Sequence, residues 1–193
     1  MGRRIACLVA VLLAAGMIFQ GRALRSRGPA PAASGSAPQA QNDPLTEDEV
    51  QQIRDNAIHP DERIRLYMKF IGQRLEAIRQ LVADRDAPNR AAEIRAKLEE
   101  FTSLCDEIQD NLDTYDSDHA DIRKSLKDLV AASGRWPDFL RGLPANPTYE
   151  FSQKTAVEAA QSASDEAKHL TTEQDVYFDV HKKERHGNGT APD

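Results

Sequence analysis

Between residues 60 and 115 the apolar positions fall into two runs of alternating four- and three-residue steps. The first run is Ile64, Met68, Ile71, Leu75, Ile78 and Val82; the second is Ile94, Leu98, Phe101, Cys105, Ile108, Leu112 and Tyr115. A mean step of 3.5 keeps each run on one helical face, the spacing of coiled-coil-like seams. Tyr67, Phe70, Leu81 and Leu104 widen both stripes, so each helix should meet more than one neighbour. Pro60 suits a first helical position, where its missing N–H costs nothing, and Asp61 and Glu62 set negative charge at the positive end of the helix dipole. Residues 84–89 are polar and broken by Pro88, a connection short enough to force antiparallel neighbours. The pattern therefore predicts two matched helices of about 25 residues, roughly 37 Å each.

The flanking patterns extend this hairpin into a bundle. Thr46 with Glu49 reads as a capping box and Leu45 with Val50 as its hydrophobic staple, opening a short helix that ends near Asn56. That helix is expected to pack across one end of the hairpin. A third helix begins near His119, carries Ile122, Leu126, Leu129 and Val130 on one face, and stops at Gly134. At about 15 residues, roughly 22 Å, it covers little more than half the hairpin's length. A helical turn over residues 136–143 would fill the rest of that column. After Pro144 and Pro147 the last helix spans about 148–184, with a seam of Ala156, Ala160, Ala163, Ala167, Leu170, Gln174, Tyr177 and His181. The seam keeps its phase through Thr171 and Thr172, which predicts a continuous helix. Its small first half implies either close helix approach or a groove left open for a ligand. The expected fold is all-α: an antiparallel up-down helical bundle of four main columns plus the short N-terminal helix, over residues 45–185.

The N-terminus differs in character. Arg3 and Arg4 precede an apolar run over residues 5–19, the arrangement of an export signal, with Gly21-Arg22-Ala23 as a cleavage site. With Gln20 and Gly21 the run reaches the lower limit of a membrane span, about 17 residues, and Arg22, Arg25 and Arg27 follow it. Residues 1–23 are therefore expected to be a signal peptide or an uncleaved membrane anchor. Residues 24–44, rich in Pro, Ala and Ser, form a disordered linker, and residues 186–193 a disordered tail. The expected location is exported, periplasmic or secreted, with membrane contact only through the N-terminal segment. Asn188-Gly189-Thr190 fits the N-glycosylation pattern.

Composition narrows the partners. The 193 residues carry 25 Lys and Arg against 31 Asp and Glu, net −6. Loss of residues 1–23 removes three arginines and no acid, giving 22 − 31 = −9. An acidic domain repels phosphate backbones, so nucleic acid is not expected as a partner. Aromatics are only 6% and mean hydropathy is −0.60, in keeping with a helical bundle built on Ala and Leu. Cleavage would leave Cys105 as the only cysteine, placed on a seam and expected to be a buried, inert thiol.

Candidate chemistry is sparse. Glu166 and His169 have the Glu-x-x-His spacing that resembles di-iron bundle proteins, with Asp116 and His119 as a loose second copy. Such a metal site needs both motifs inward, and the seam turns His169 outward. Met68 and His181, on seams near helix ends that meet in an up-down bundle, resemble the axial ligands of cytochrome b562-type haem bundles; the bland alternative is a core methionine and a rim histidine. Leu170-Thr171-Thr172-Glu173-Gln174 resembles the Leu-Thr-x-x-Gln signature of exported helical stress proteins, chaperone-like cradles among them. Trp136, Phe139 and Leu140 are read either as filler of the short column or as an exposed patch for a partner. No hydrolase, zinc-protease or phosphate-loop motif is present.

The expected function is a non-enzymatic extracytoplasmic binding or scaffolding module for a protein or envelope component, needing no cofactor. The alternatives are a small-ligand or metal/haem-binding four-helix bundle and a periplasmic chaperone-like stress protein.

Overall fold

The computed structural model describes residues 43–187, with side chains as far as His181. All regular structure among these residues is helical: α1 Glu47–Asp55, α2 Pro60–Ala83, α3 Arg90–Ser117, α4 Arg123–Ser133, α5 Trp136–Arg141 and α6 Glu150–Gly187. The expected leader, the glycosylation triplet and most of the linker and tail lie outside the described residues. No helix among those described is long and apolar enough to cross a membrane.

The hairpin forms as its pattern predicts. Ile64, Ile71 and Ile78 of α2 and Leu98, Phe101, Cys105, Ile108 and Leu112 of α3 are fully buried. Asn89 turns the chain into α3 with a left-handed φ of 54°, a conformation Asn tolerates better than most residues. The Thr46–Glu49 capping box is present on both sides.

The helices pack as a bundle, but the order around it is not that of a simple up-down-up-down ring. Three contacts tie α6 to α3 and the link that follows it at nearly constant sequence separation. Ser152 donates to Glu99 and Ser162 to Gln109, both 53 residues apart, and Gln174 donates to the Ala120 carbonyl, 54 residues back. The two helices are therefore side by side and parallel. Helices α2 and α4 also start together: the Asp61 carboxylate accepts the Ser125 N–H at 3.2 Å. At the other end the Gln153 amide donates to the Leu140 carbonyl at 2.8 Å, so α5 ends where α6 begins. The ring runs α2, α3, α6, α4–α5, and α2 and α6 make no close backbone approach. The short α3–α4 link crosses the diagonal. Successive long helices still alternate in direction along the chain, but the two antiparallel hairpins stand with like-directed helices adjacent.

Two further placements depart from expectation. Helix α4 starts at Arg123, not His119, because residues 118–122 form the diagonal link. Helix α1 lies along the flank of the hairpin, not across its end. Its Glu49 is 6% exposed and receives two hydrogen bonds from Arg74, well inside α2, at 2.5 and 2.7 Å. Arg74 also donates to Glu100 of α3 at 2.9 Å and to the Pro44 carbonyl at 2.6 Å. Residues 43–44, assigned to the linker by composition, are thus part of the folded domain.

The short column is completed as expected. Trp136 is 6% exposed and meets Phe101 edge-to-face at 5.9 Å, and Leu140 is fully buried. Helix α6 is unbroken through Thr171 and Thr172, whose hydroxyls donate back to the Ala167 and Lys168 carbonyls.

Candidate functional site

Helix α6 has 38 residues against 28 in α3. At the 53-residue offset, Ser117 at the end of α3 stands level with Leu170, so α6 continues for about 25 Å beyond its parallel neighbour. On this overhang Val176 and Val180 stand exposed near several aromatic groups; the other exposed large apolar side chains among the described residues, Ile58 and Phe151, lie in the α1–α2 link and at the start of α6.

The link between α3 and α4 builds one wall. His119 takes a φ of 53°, and its N–H donates to the Asp116 carbonyl while the Ala120 N–H donates to that of Tyr115. These are the two bonds of a Schellman cap, in which glycine is the usual residue at the left-handed position. Histidine here costs strain but delivers a side chain. Gln174 fixes the link from the α6 side. Its Oε1 accepts the Ile122 N–H at 3.2 Å and its Nε2 donates to Ala120 at 3.1 Å. A polar residue on an apolar seam is thereby satisfied, as burial demands.

Tyr177 of α6 lies between two imidazoles. The His119 ring stacks at 4.6 Å and 20°, the His181 ring at 4.2 Å and 28°. Phe178 meets Tyr177 edge-on at 5.0 Å and carries the Arg123 guanidinium over its own face at 4.8 Å. Beside the stack, Val176 and Val180 are 62% and 64% exposed. With Asp116, His119, Glu173 and Tyr177 they line an open groove of about 530 Å³, a volume in the range of ligand pockets. Its chemistry is apolar and aromatic, with carboxylates at the rim.

A second groove of about 550 Å³ lies where the α5–α6 link meets α6, lined by Arg141, Asn146, Glu150 and Lys154 among others. Lys154 donates to Glu150 at 2.7 Å, so part of its charge is neutralised internally.

The residues singled out from sequence are scattered. Met68 is half-buried on α2 and His181 lies on the α6 overhang. The two helices stand on a diagonal, so the expected meeting of their ends does not occur. His169 is exposed and 3.4 Å from Glu173, one helical turn on, while Glu166 is half-buried. Among the described residues no group of three His, Cys, Asp or Glu side chains is placed to hold a metal ion. The exposed-patch reading of Trp136 and Leu140 is corrected by their burial in the core; Phe139 is half-buried under the Arg79 guanidinium at 5.0 Å. Ala156, Ala160, Ala163 and Ala167 are fully buried, so the alanine face is closed by close packing and leaves no groove.

Cys105 is fully buried, and burial, with Asp106 nearby, pushes its thiol far above the usual range. Such a thiol is inert. Burial raises the Glu49 carboxyl, but the Arg74 hydrogen bond, the Thr46 backbone N–H and the Arg74 charge outweigh it, and the net shift is downward.

Two groups had only faint sequence signals. Arg74, Glu49 and Glu100 look in sequence like charges of solvated helix faces. The only signal for the His119–Tyr177–His181 stack was two histidines and a tyrosine near helix ends. Comparison with protein-family models, with curated proteins and with solved structures finds no match.

Proposed function

We propose that this chain is a non-enzymatic, extracytoplasmic binding or scaffolding module, exported through residues 1–23, and that it binds through the α6 overhang. One observation carries the reading: on the α6 overhang Val176 and Val180 stand exposed beside the stacked His119–Tyr177–His181 wall. The groups with most chemical potential elsewhere, Arg74 and Cys105, are respectively paired on all sides and buried. The buried Gln174 accounts for the last residue of the Leu-Thr-x-x-Gln pattern as a brace for the α3–α4 link, so the stress-protein resemblance has no independent support. The partner class is a protein or envelope component offering an apolar, helical or aromatic surface.

The test is a photo-reactive residue at position 180 in protein expressed in its native host, with crosslinks sought in the envelope fraction. A discrete adduct that disappears with Val176→Asp supports the module. No adduct at position 180 together with one at an unrelated surface position would move the site. Reproducible turnover of any substrate by the purified protein would overturn the non-enzymatic reading. Sequencing the mature N-terminus of the same material decides whether residues 1–23 are retained.

A further inference from the structure

We propose that α1 is an internal ligand, seated on a docking face of α2 around Arg74, that it lifts from this face as one unit, and that the vacated face takes an acidic amphipathic helix in trans. None of the residues involved belongs to the α6 overhang. The resident occupant displays what the face accepts. Among the helices, α1 comes into close backbone contact with α2 alone. Leu45, Glu49 and Ile53 follow at four-residue steps and make its inward stripe: Glu49 and Ile53 are buried, and Leu45 packs half-buried on the core. The centre of the stripe is thus a carboxylate, and it meets the Arg74 guanidinium at 2.5 and 2.7 Å. Without α1, Arg74 would keep only Glu100 at 2.9 Å, a carboxylate that already accepts from Lys97 at 2.6 Å. Lys69 adds a second cation to the face, donating to Gln52 at 3.1 Å. Against these cations, residues 43–56 bring five acids and one arginine, 1 − 5 = −4. The fitting occupant is therefore a short acidic helix with an apolar, carboxylate, apolar stripe.

Three features let α1 come away whole. Its nine residues are too few to hold a helix alone in water. One oxygen of Glu49 accepts both the Thr46 N–H at 2.8 Å and an Arg74 N–H at 2.7 Å, so the same carboxylate closes the helix cap and the dock, and folding and docking of α1 are one event. Residues 57–59 of the link to α2 are all exposed, so the hinge has no packed side chain to release. The docked state also contains a like-charge contact. The Asp43 charge bears on the Glu107 carboxyl of α3, which burial already disfavours as an anion. A helix without that acid should dock better than α1 does.

The short link holds α1 over its face at an effective concentration on the order of millimolar. A competitor meets the face only in the fraction of molecules where α1 is lifted, and its apparent Kd rises by the inverse of that fraction. The contact is thus autoinhibitory, and breaking the clasp opens the face.

The probe is a fluorescent peptide of residues 43–56, blocked at both ends and titrated against the full-length chain by anisotropy. It should bind the Glu49→Ala chain, whose own α1 is unclasped, and bind the parent about a hundredfold more weakly. A peptide carrying Glu49→Ala should not bind, nor should the unaltered peptide bind a chain with Glu49→Ala and Arg74→Met together. Asp43→Asn in the peptide should tighten binding several-fold, since Asn keeps the oxygen that accepts the Leu45 N–H at 3.1 Å and loses the charge facing Glu107. Failure to bind the Glu49→Ala chain overturns the proposal, as does equal binding with and without Arg74. The Glu49→Ala chain should keep a cooperative thermal transition; its loss would make α1 integral to the bundle and overturn the proposal too. Amide exchange in the parent needs no variant. Residues 50–55 should exchange about tenfold faster or more than the buried centre of the α2–α3 hairpin, and equal rates in both would show that α1 does not lift by itself.

Discussion

The two halves of α6 share one buried seam but differ in what stands beside it. In the first half the seam residues are Ala156, Ala160, Ala163 and Ala167, each with no exposed surface. In the second half the seam continues through Leu170 and Gln174, also buried, while the larger Val176 and Val180, off the seam, stand almost two-thirds exposed. Residue size runs against burial. The seam faces α3, α4 and α5, all of which pack on α6, and alanine lets backbones approach where elements converge. Past Ser117 the α3 column gives way to the α3–α4 link, which covers Gln174 and Tyr177, while Val176 and Val180 lie on the outward face that carries the exposed Glu158 and Ser162 about five turns earlier. Periodicity tells a helix which face to bury; what its outward face presents is set by the residues placed there.

The largest effect should come from charging the closed half. Ala163→Asp would bury an unpaired carboxylate, at a cost of several kcal/mol against a whole margin of about 5–15 kcal/mol. Loss of the cooperative thermal transition is expected. The same change at Val180 should stay within about 0.5 kcal/mol, as surface substitutions do. Equal loss at both positions would erase the contrast.

Next comes the clasp that holds α1. Arg74→Met leaves Glu49 buried without its partner, and breaking a buried pair in this way costs about 3–5 kcal/mol; denaturant unfolding measures it. A smaller loss, about 1–3 kcal/mol, is expected for Gln174→Ala, which leaves the Ile122 N–H and the Ala120 carbonyl unpaired. This variant sharpens the comparison because it loosens the junction between the two halves of α6. Amide exchange should rise at residues 118–123 and not along the first half of α6.

The smallest effects depend on pH. The Glu49 carboxyl sits below its ordinary 4.5 in the folded protein. Its stabilisation is therefore complete above that value and is lost as pH falls through the lower folded value. The stability gap between parent and Glu49→Gln should accordingly narrow below about pH 4.5. Glu107 behaves oppositely. Burial raises its carboxyl, Asp43 and Asp110 raise it further, and the Tyr67 hydroxyl, which hydrogen-bonds to it, only partly offsets this. The folded state then holds a proton that the unfolded chain releases, so stability falls as pH rises through the interval from 4.5 to the folded value. Glu107→Gln should stabilise slightly at neutral pH, measured by thermal midpoint.

Local features were legible in the sequence. The α2–α3 hairpin, the Thr46–Glu49 cap, the stop at Gly134 and the unbroken passage of α6 through Thr171 all follow from spacing, turn chemistry and caps, which act within a few residues. What was not legible is non-local. A seam of Ala160 and Ala163 reads identically against a parallel or an antiparallel neighbour, so the diagonal α3–α4 crossing leaves no mark on periodicity. The Arg74–Glu49 pair spans 25 residues, and a charged residue beside a seam looks solvated until its partner is known. At the candidate site, Gln174 was visible as a polar residue on an apolar seam but not as the brace of a link 52 residues away. His119 was hidden by its backbone, since a left-handed cap is anticipated at glycine and not at histidine. The Trp136 segment could be read as filler or as patch because the volume left by a short α4 cannot be gauged from α4 alone.

The clasp also has a mechanical meaning. The Pro44 carbonyl is held by Arg74, well inside α2, so the chain enters the folded domain at the flank and not at an end. A pull on the N-terminal side would load the Arg74 ion pairs and the packing of Leu45 and Ile53, and α1 would peel away before tension arrived at the seams of the four columns. The four columns would remain assembled while α1 acted as a fuse: a short helix whose rupture limits the force passed to the bundle.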